Sequence, residues 1–455
     1  MLRRNLPTAS IALLSMILLT AGAGFRRLGK DLKFTRNHGI LAVQVTNADD
    51  YPGKVWGIVL DLDPNSGQIV SADATLAPPL GMFGFYVEDG QNHLVGAFAD
   101  LNDNQQYEKG EPAWFHSDAE GNPTPLPIDP ATGKGRTSGT LSKDTVIPVR
   151  LTSAVKEYRN GRAIDEIITG QGIKIALGDL ADLNDPKFSA VRGQEGLWEP
   201  ASFPVSSGIG IYFLEPYDPG RVPVLFVYGM SGSPQDWQPF FKSLDRKRYQ
   251  PWFYYYPTGR RLDEAADALN NGVKALHAKY RFDQLDVVAH SMGGLVSRSF
   301  ITKNVLRDGN PYITKFVTIS TPWGGHEAAA MGVKRSPKVV PSWYDMQNGS
   351  DFQRDLFEKR LRCKVDHYLL FGYGGEKSMI LPSSNDGTVS VASQLWPDVQ
   401  NDVVQVAGFN SDHVGILSNP AVLDLVERIL DQEESPASIP PGSKEKSKGL
   451  FSGFR

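Results

Sequence analysis

The sequence predicts a chain in two parts: an all-β, sandwich-like N-terminal domain, then an α/β domain whose mostly parallel sheet carries helices on both faces. Three observations lead there. Short β-like segments separated by turn clusters recur from about Ile40 to Tyr212, the stretch Glu215-Pro216-Tyr217-Asp218-Pro219-Gly220 interrupts them, and beyond it near-continuous apolar runs alternate with helical patterns. Repeated short strands suit a sandwich, proline and glycine mark the seam, and strands apolar on both faces belong to a parallel sheet covered by helices. A chain of 455 residues is also longer than one core usually supports, about 300 residues.

At the N-terminus, Arg3 and Arg4 precede the apolar stretch Ala9 to Leu19, and Ala21-Gly22-Ala23 offers the small residues a signal peptidase accepts. This is the layout of a secretory signal. Residues 1–24 are expected to serve as a signal peptide or an N-terminal anchor, placing the protein in the periplasm, outside the cell or tethered to a membrane. The run is shorter than the about 20 residues of a comfortable membrane span. Residues 25–215 form the expected accessory β domain, with strand-like segments at Gly39 to Val45, Val55 to Leu60 and Gly84 to Val87. Within it, Asp100, Asn102, Asn104, Glu108 and Glu111 put oxygen side chains at positions one, three, five, nine and twelve of a calcium-type loop. Gln105 stands where the sharp turn wants glycine, so a hydrogen-bonded Asx-rich turn is the competing reading.

Residues 216–432 form the expected α/β domain. Its strand candidates are Val222 to Tyr228, Trp252 to Tyr256, Leu285 to Ala289, Phe316 to Ser320 and Tyr368 to Phe371. The clearest helix carries Leu262, Ala265, Ala266, Leu269, Val273, Leu276 and Tyr280 on one face. Residues 433–455 are rich in glutamate, serine, proline and lysine and are expected to be disordered. The net charge of −4, with no internal basic runs, argues against a nucleic-acid partner. The single cysteine, Cys363, excludes an intrachain disulfide and a thiolate metal cluster, and a buried, inert thiol is expected.

The chemistry concentrates on Ser291. In Val287-Val288-Ala289-His290-Ser291-Met292-Gly293-Gly294 an apolar strand gives way to a helix, with small residues two positions either side of the serine. A sharp strand-to-helix turn strains its apex residue and needs such neighbours; the alternative is an ordinary small-residue helix start. A serine hydroxyl is a weak nucleophile and needs a base, which in turn needs an acid to orient it. His413 and Asp386 follow strand-like runs further along the chain, in the order serine, acid, histidine. Asp412 is the rival acid, and His326 and His367 are rival bases. Two backbone N–H groups would receive the negative charge of a tetrahedral intermediate: that of Met292, after the nucleophile, and that of Met230, in Val227-Tyr228-Gly229-Met230-Ser231-Gly232.

At these residues, with Ser320-Thr321-Pro322 and Asn385-Asp386-Gly387-Thr388-Val389, the chain from about Val222 to Leu430 resembles the α/β-hydrolase superfamily. Within it the similarity is to the lipase and esterase branch that includes bacterial triacylglycerol lipases and GPI inositol-deacylase-like proteins. Two positions depart from that pattern: Ala289 stands for the usual glycine, and Tyr228 for the usual histidine. The resemblance implies hydrolysis of carboxylic, chiefly lipid, esters through an acyl-enzyme, with no cofactor required for catalysis. The substrate would be an ester or lipid, met in solution or at a membrane surface. The segment from Trp323 to Phe357 sits where such lipases often carry a lid. A deacylase of a membrane-anchored or polymer-bound acyl group would use the same residues. A non-catalytic surface binding protein on the same fold would usually lack one of them.

Overall fold

The structure, a computed structural model, describes residues 23–63, 65, 69–104, 107–108, 110–145, 172–362, 364–376 and 384–432. Residues 1–22, which hold most of the expected signal segment, Cys363 and the tail from residue 433 lie outside the described residues.

Helix α1 (residues 23–36) opens the described chain. Strands β1 (His38–Val45), β2 (Lys54–Leu62), β3 (Ile69–Ala77), β4 (Met82–Glu88), β5 (Asn92–Asp100), β6 (Ala113–Phe115), β7 (Lys134–Gly139) and β8 (Gly172–Ile173) follow. They form two four-stranded sheets, ordered β7-β1-β4-β8 and β3-β2-β5-β6. Strand alternation decides how the sheets meet. Leu41, Val43 and Val45 of β1 and Phe83, Phe85 and Val87 of β4 share one core with Val55, Val59, Val95, Ala97 and Ala99 from the other sheet. The opposite face of the first sheet, with Ile40, Ala42 and Met82, turns toward the rest of the molecule.

The second part comprises β9 (Ile175–Leu180), α2 (Ala190–Trp198), β10 (Ile209–Phe213), β11 (Val222–Val227), β12 (Tyr249–Tyr255), α3 (Leu262–Tyr280), β13 (Leu285–His290), α4 (Met292–Ile301), β14 (Ile313–Ile319), α5 (Glu327–Arg335), α6 (Pro341–Met346), β15 (Asp366–Gly372), β16 (Val403–Phe409) and α7 (Pro420–Asp431). Its eight strands lie in the order β16-β15-β14-β13-β11-β12-β10-β9. Every neighbouring pair is parallel except β10 with β12. The break expected at Glu215 to Gly220 is therefore not the edge of this unit, because β9 and β10 complete its sheet. Both strands are short and interrupted by positive-φ glycines, Gly178 and Gly210, so locally they read like the β segments before them.

Helix α3 buries the predicted stripe of Leu262, Ala265, Ala266, Leu269, Val273 and Leu276, opens on Asp263 and Glu264, and stops at Arg281 in the left-handed region. Helix α4 is buried throughout. It carries a fully buried ion pair, Arg298 Nη2 to Asp402 Oδ2 at 2.5 Å. The same guanidinium donates to the carbonyl of Leu356 at 3.0 Å and lies 4.4 Å from the Phe357 ring centre. This pins the end of the Trp323 to Phe357 segment to α4.

Candidate active site

Strand β13 passes into α4 through Ser291, whose φ of 53° and ψ of −130° are costly for any residue with a side chain. The turn is held because the Ser291 N–H donates to the carbonyl of Ile319 at 2.8 Å. Close approach explains the small residues after it: a Cβ on Gly293 would lie 2.3 Å from the Val227 carbonyl oxygen, and one on Gly294 would lie 2.0 Å from Thr321 Oγ1. Ala289, where glycine is usual, pairs with Val227 and Thr318 inside the sheet and its methyl is accommodated there.

His413 and Asp386 reach this apex from loops beyond β16 and β15. His413 Nε2 lies 2.9 Å from Ser291 Oγ, and its Nδ1 lies 2.7 Å from Asp386 Oδ2. A second tie, from the His413 N–H to the Asp386 carbonyl at 2.7 Å, fixes the two loops together. Burial pushes the Asp386 carboxyl upward, but its hydrogen bond to His413, the His413 charge and the N–H groups of Val389 and Thr388 overcome that and hold it below the usual carboxylate range. An ionised acid facing Nδ1 sets the tautomer that leaves Nε2 able to accept a proton.

The loop after β11 lies against Ser291 so tightly that a Cβ on Gly229 would sit 2.7 Å from Ser291 Cβ. Among the described residues no hydrogen bond uses the Met230 N–H, and the Met292 N–H, at the first position of α4, has no intrahelical acceptor. Tyr228 anchors this loop by reciprocal bonds. Its hydroxyl donates to the Tyr256 carbonyl and the Tyr256 hydroxyl donates to the Tyr228 carbonyl, each at 2.8 Å. Burial keeps both phenols protonated, far above their ordinary range.

The rival groups are engaged elsewhere. Asp412 accepts the N–H groups of Val414 and Gly415 at 3.1 and 2.8 Å, closing the turn after the histidine. His326 caps α5 by accepting the Ala328 N–H at 3.2 Å, and His367 packs on Phe316 and meets Thr318 Oγ1 at 2.9 Å. His290 points away from the hydroxyl and donates from Nε2 to the His413 carbonyl at 2.8 Å. Burial first, then the nearby His413, push its pKa down to about 3, so it stays neutral.

The calcium-type loop comes together as a turn. Glu111 accepts the N–H groups of Leu101 and Glu108 at 2.9 and 2.8 Å, and Asp100 accepts that of Asn104 at 3.1 Å. The amide nitrogens of Asn102 and Asn104 face Glu108. Donors thus point where a cation would need oxygens, so this arrangement does not fit calcium. Among the described residues no group of three His, Cys, Asp or Glu side chains could hold a metal ion.

Two features had little or no voice in the sequence. Gln394, buried in a short helix, donates to Asp386 Oδ2 at 3.2 Å and exchanges hydrogen bonds of 3.0 Å with both backbone groups of Gly372, bracing the acid loop. Helix α1 packs Leu28 and Leu32 against Leu197, Val340, Trp198, Trp343 and Met230. Asp31 locks it by accepting the N–H groups of Ala201 and Ser202 at 2.7 and 2.8 Å. Its signal was present, since Phe25, Leu28 and Leu32 fall at helical spacing.

Sheet order and the elbow at the carboxyl end of β13 give the C-terminal part the fold of the α/β hydrolases. The resemblance read in the sequence thus stands at the level of the fold. Residues 258–393 match the model of a family described as an alpha/beta hydrolase of unknown function (DUF915), a span that holds Ser291 and Asp386 and ends before His413. No curated protein matches the chain by sequence. Similar solved structures include the mature Bacillus licheniformis lipase BlEst2, at 18% identity and a TM-score of 0.41 over 48% of this chain and 97% of that one. Aspergillus fumigatus lipase B follows at 16% identity and 0.39, over 48% and 54% of the two chains. A putative esterase from Staphylococcus aureus matches at 11% identity and 0.35, over 50% and 81%.

Proposed function

We propose that this protein is a serine hydrolase cleaving carboxylic esters, with acyl or lipid esters as its substrates. The observation that carries this reading is the hydrogen-bonded chain from Asp386 through His413 to Ser291, at 2.7 and 2.9 Å, on a strained elbow. Ser291 Oγ attacks the ester carbonyl as His413 Nε2 takes its proton, and Asp386 stabilises the imidazolium that forms. The N–H groups of Met230 and Met292 receive the oxyanion. His413 then protonates the departing alcohol, and water attacks the acyl-enzyme by the same route in reverse. Every step draws on side chains and backbone of this chain.

The half-buried Met230, Trp198 and Trp343, apolar and beside the loop after β11, support an acyl substrate. The basic and apolar pattern of Arg3 to Leu19 supports export, with a membrane surface as the place of action and the β domain as an accessory module. No described helix is long and apolar enough to cross a membrane. An active-site fluorophosphonate probe should label the wild type and not Ser291→Ala, and p-nitrophenyl esters should be cleaved faster as their acyl chains lengthen. An unlabelled wild type defeats the hydrolase reading, and a preference for acetyl esters defeats the lipid one.

A further inference from the structure

Between the first β sheet and the C-terminal part lies a cleft of about 240 Å³ whose lining includes none of Ser291, Asp386 and His413. Ile40 and Met82 line it from the β domain, Ile175 and Ile211 from the eight-stranded sheet, and Ala265 and the exposed Ala268 from α3. Apolar walls with a few placed polar groups are the usual build of a small-molecule site. Here the charged groups are three cations, Lys134, Arg136 and Arg260, and two carboxylates, Glu264 and Asp267. Lys134 and Arg136 alternate with buried Gly135 along β7 and so share the face that lines the cleft, where Arg260 joins them.

The charges at this rim do not cancel. Glu264 pairs with Arg260 at 3.6 Å, and Asp267 pairs with Lys303 at 2.8 Å. Among the described residues neither Lys134 nor Arg136 has an acidic partner. A rim with surplus positive charge above an apolar slot matches a molecule with one anionic head and one hydrocarbon tail. The volume limits the tail: 240 Å³ takes about eight groups of roughly 30 Å³, the share of one water in the liquid.

We propose that this cleft binds a single medium-chain fatty carboxylate, its tail between the two domains and its head at Lys134 and Arg136. The occupant follows from the shape and charge of the cleft and does not depend on the chemistry at Ser291.

Calorimetric titration of the full chain carrying Ser291→Ala, with carboxylates below their micellar range, tests this separately from catalysis. Affinity should rise about fourfold per added methylene and level off near nine carbons, about eight in the tail and one in the head. Decanoate should bind more tightly than decanol, and decyltrimethylammonium weakest. Arg136→Glu, an exposed change, should weaken decanoate about tenfold and leave decanol unchanged. Ala268→Trp, placed on the exposed side of α3, should fill the slot and abolish binding of both while ester hydrolysis in the Ser291 background persists. Absence of saturable binding, equal affinity for the cationic amphiphile, or decanoate binding unaltered by Ala268→Trp overturns the proposal.

Discussion

Replacing Gly229 with alanine is the sharpest probe of how the oxyanion loop is held. The new Cβ would stand 2.7 Å from Ser291 Cβ and 3.2 Å from its Oγ, where ordinary contacts begin at 3.4 Å. The nucleophile cannot yield, because its N–H is bonded to Ile319 and its turn is closed by Gly293 against Val227. The loop must therefore retreat by about 0.7 Å, beyond the roughly 2.7–3.1 Å window in which a donor stabilises an oxyanion. Losing one such donor costs about 3 kcal/mol, so kcat on a p-nitrophenyl ester should fall about 100- to 1,000-fold. KM should stay within about threefold, since the lost interaction belongs to the transition state. Overpacking costs about 1–3 kcal/mol, so Tm should drop by only a few degrees and the variant should remain folded. A kcat within about threefold of wild type would refute both the loop's role and the assignment of Met230.

Other perturbations separate chemistry from architecture. Asp386→Asn should lower kcat about 10⁴-fold with the fold retained, because the amide offers His413 Nδ1 the wrong hydrogen-bonding partner; full activity would point to another acid. His290 should make stability pH-dependent: above pH 6.5 both folded and unfolded forms are neutral, and as pH falls only the unfolded state gains the proton until the folded pKa of about 3 is reached. At pH 4.5 the loss is about 3 kcal/mol, and His290→Gln, which can still donate to His413 but does not titrate, should flatten the fall in Tm between pH 6.5 and 4.5. Arg298→Met leaves Asp402 buried without its partner and should cost about 3–5 kcal/mol in denaturant unfolding, whereas the double change with Asp402→Leu should recover most of it. Calcium or a chelator should leave Tm unmoved, since Glu111 and Asp100 are already satisfied by backbone N–H groups; a rise of several degrees with calcium would reverse that reading.

The active-site candidates were legible because nucleophile chemistry restricts residue types and chain order. Ser291, Asp386 and His413 stand at strand ends, and the structure brings all three within hydrogen-bond reach. Strands β9 and β10 were misassigned because a strand's sheet is decided by long-range pairing, and glycine-broken segments carry no local mark of their partner. The Asp100 to Glu111 loop misled for a chemical reason: oxygens spaced for a cation are spaced equally well for successive backbone N–H groups. Gln394 left no trace, since any glutamine in a short helix looks alike until its loop is folded. Tyr228 stands out in the sequence as a departure, but its role depends on Tyr256, whose pairing with it crosses 28 positions.

The locking of α1 also sets an order of events during synthesis. Asp31 leaves the ribosome 170 residues ahead of Ala201, whose N–H it accepts, and Leu28 must wait for Val340, beyond the elbow, before its cluster closes. Contacts of such separation form late. The wall beside Met230 is thus among the last surfaces to be finished, and a growing chain carries its serine long before it carries a working site.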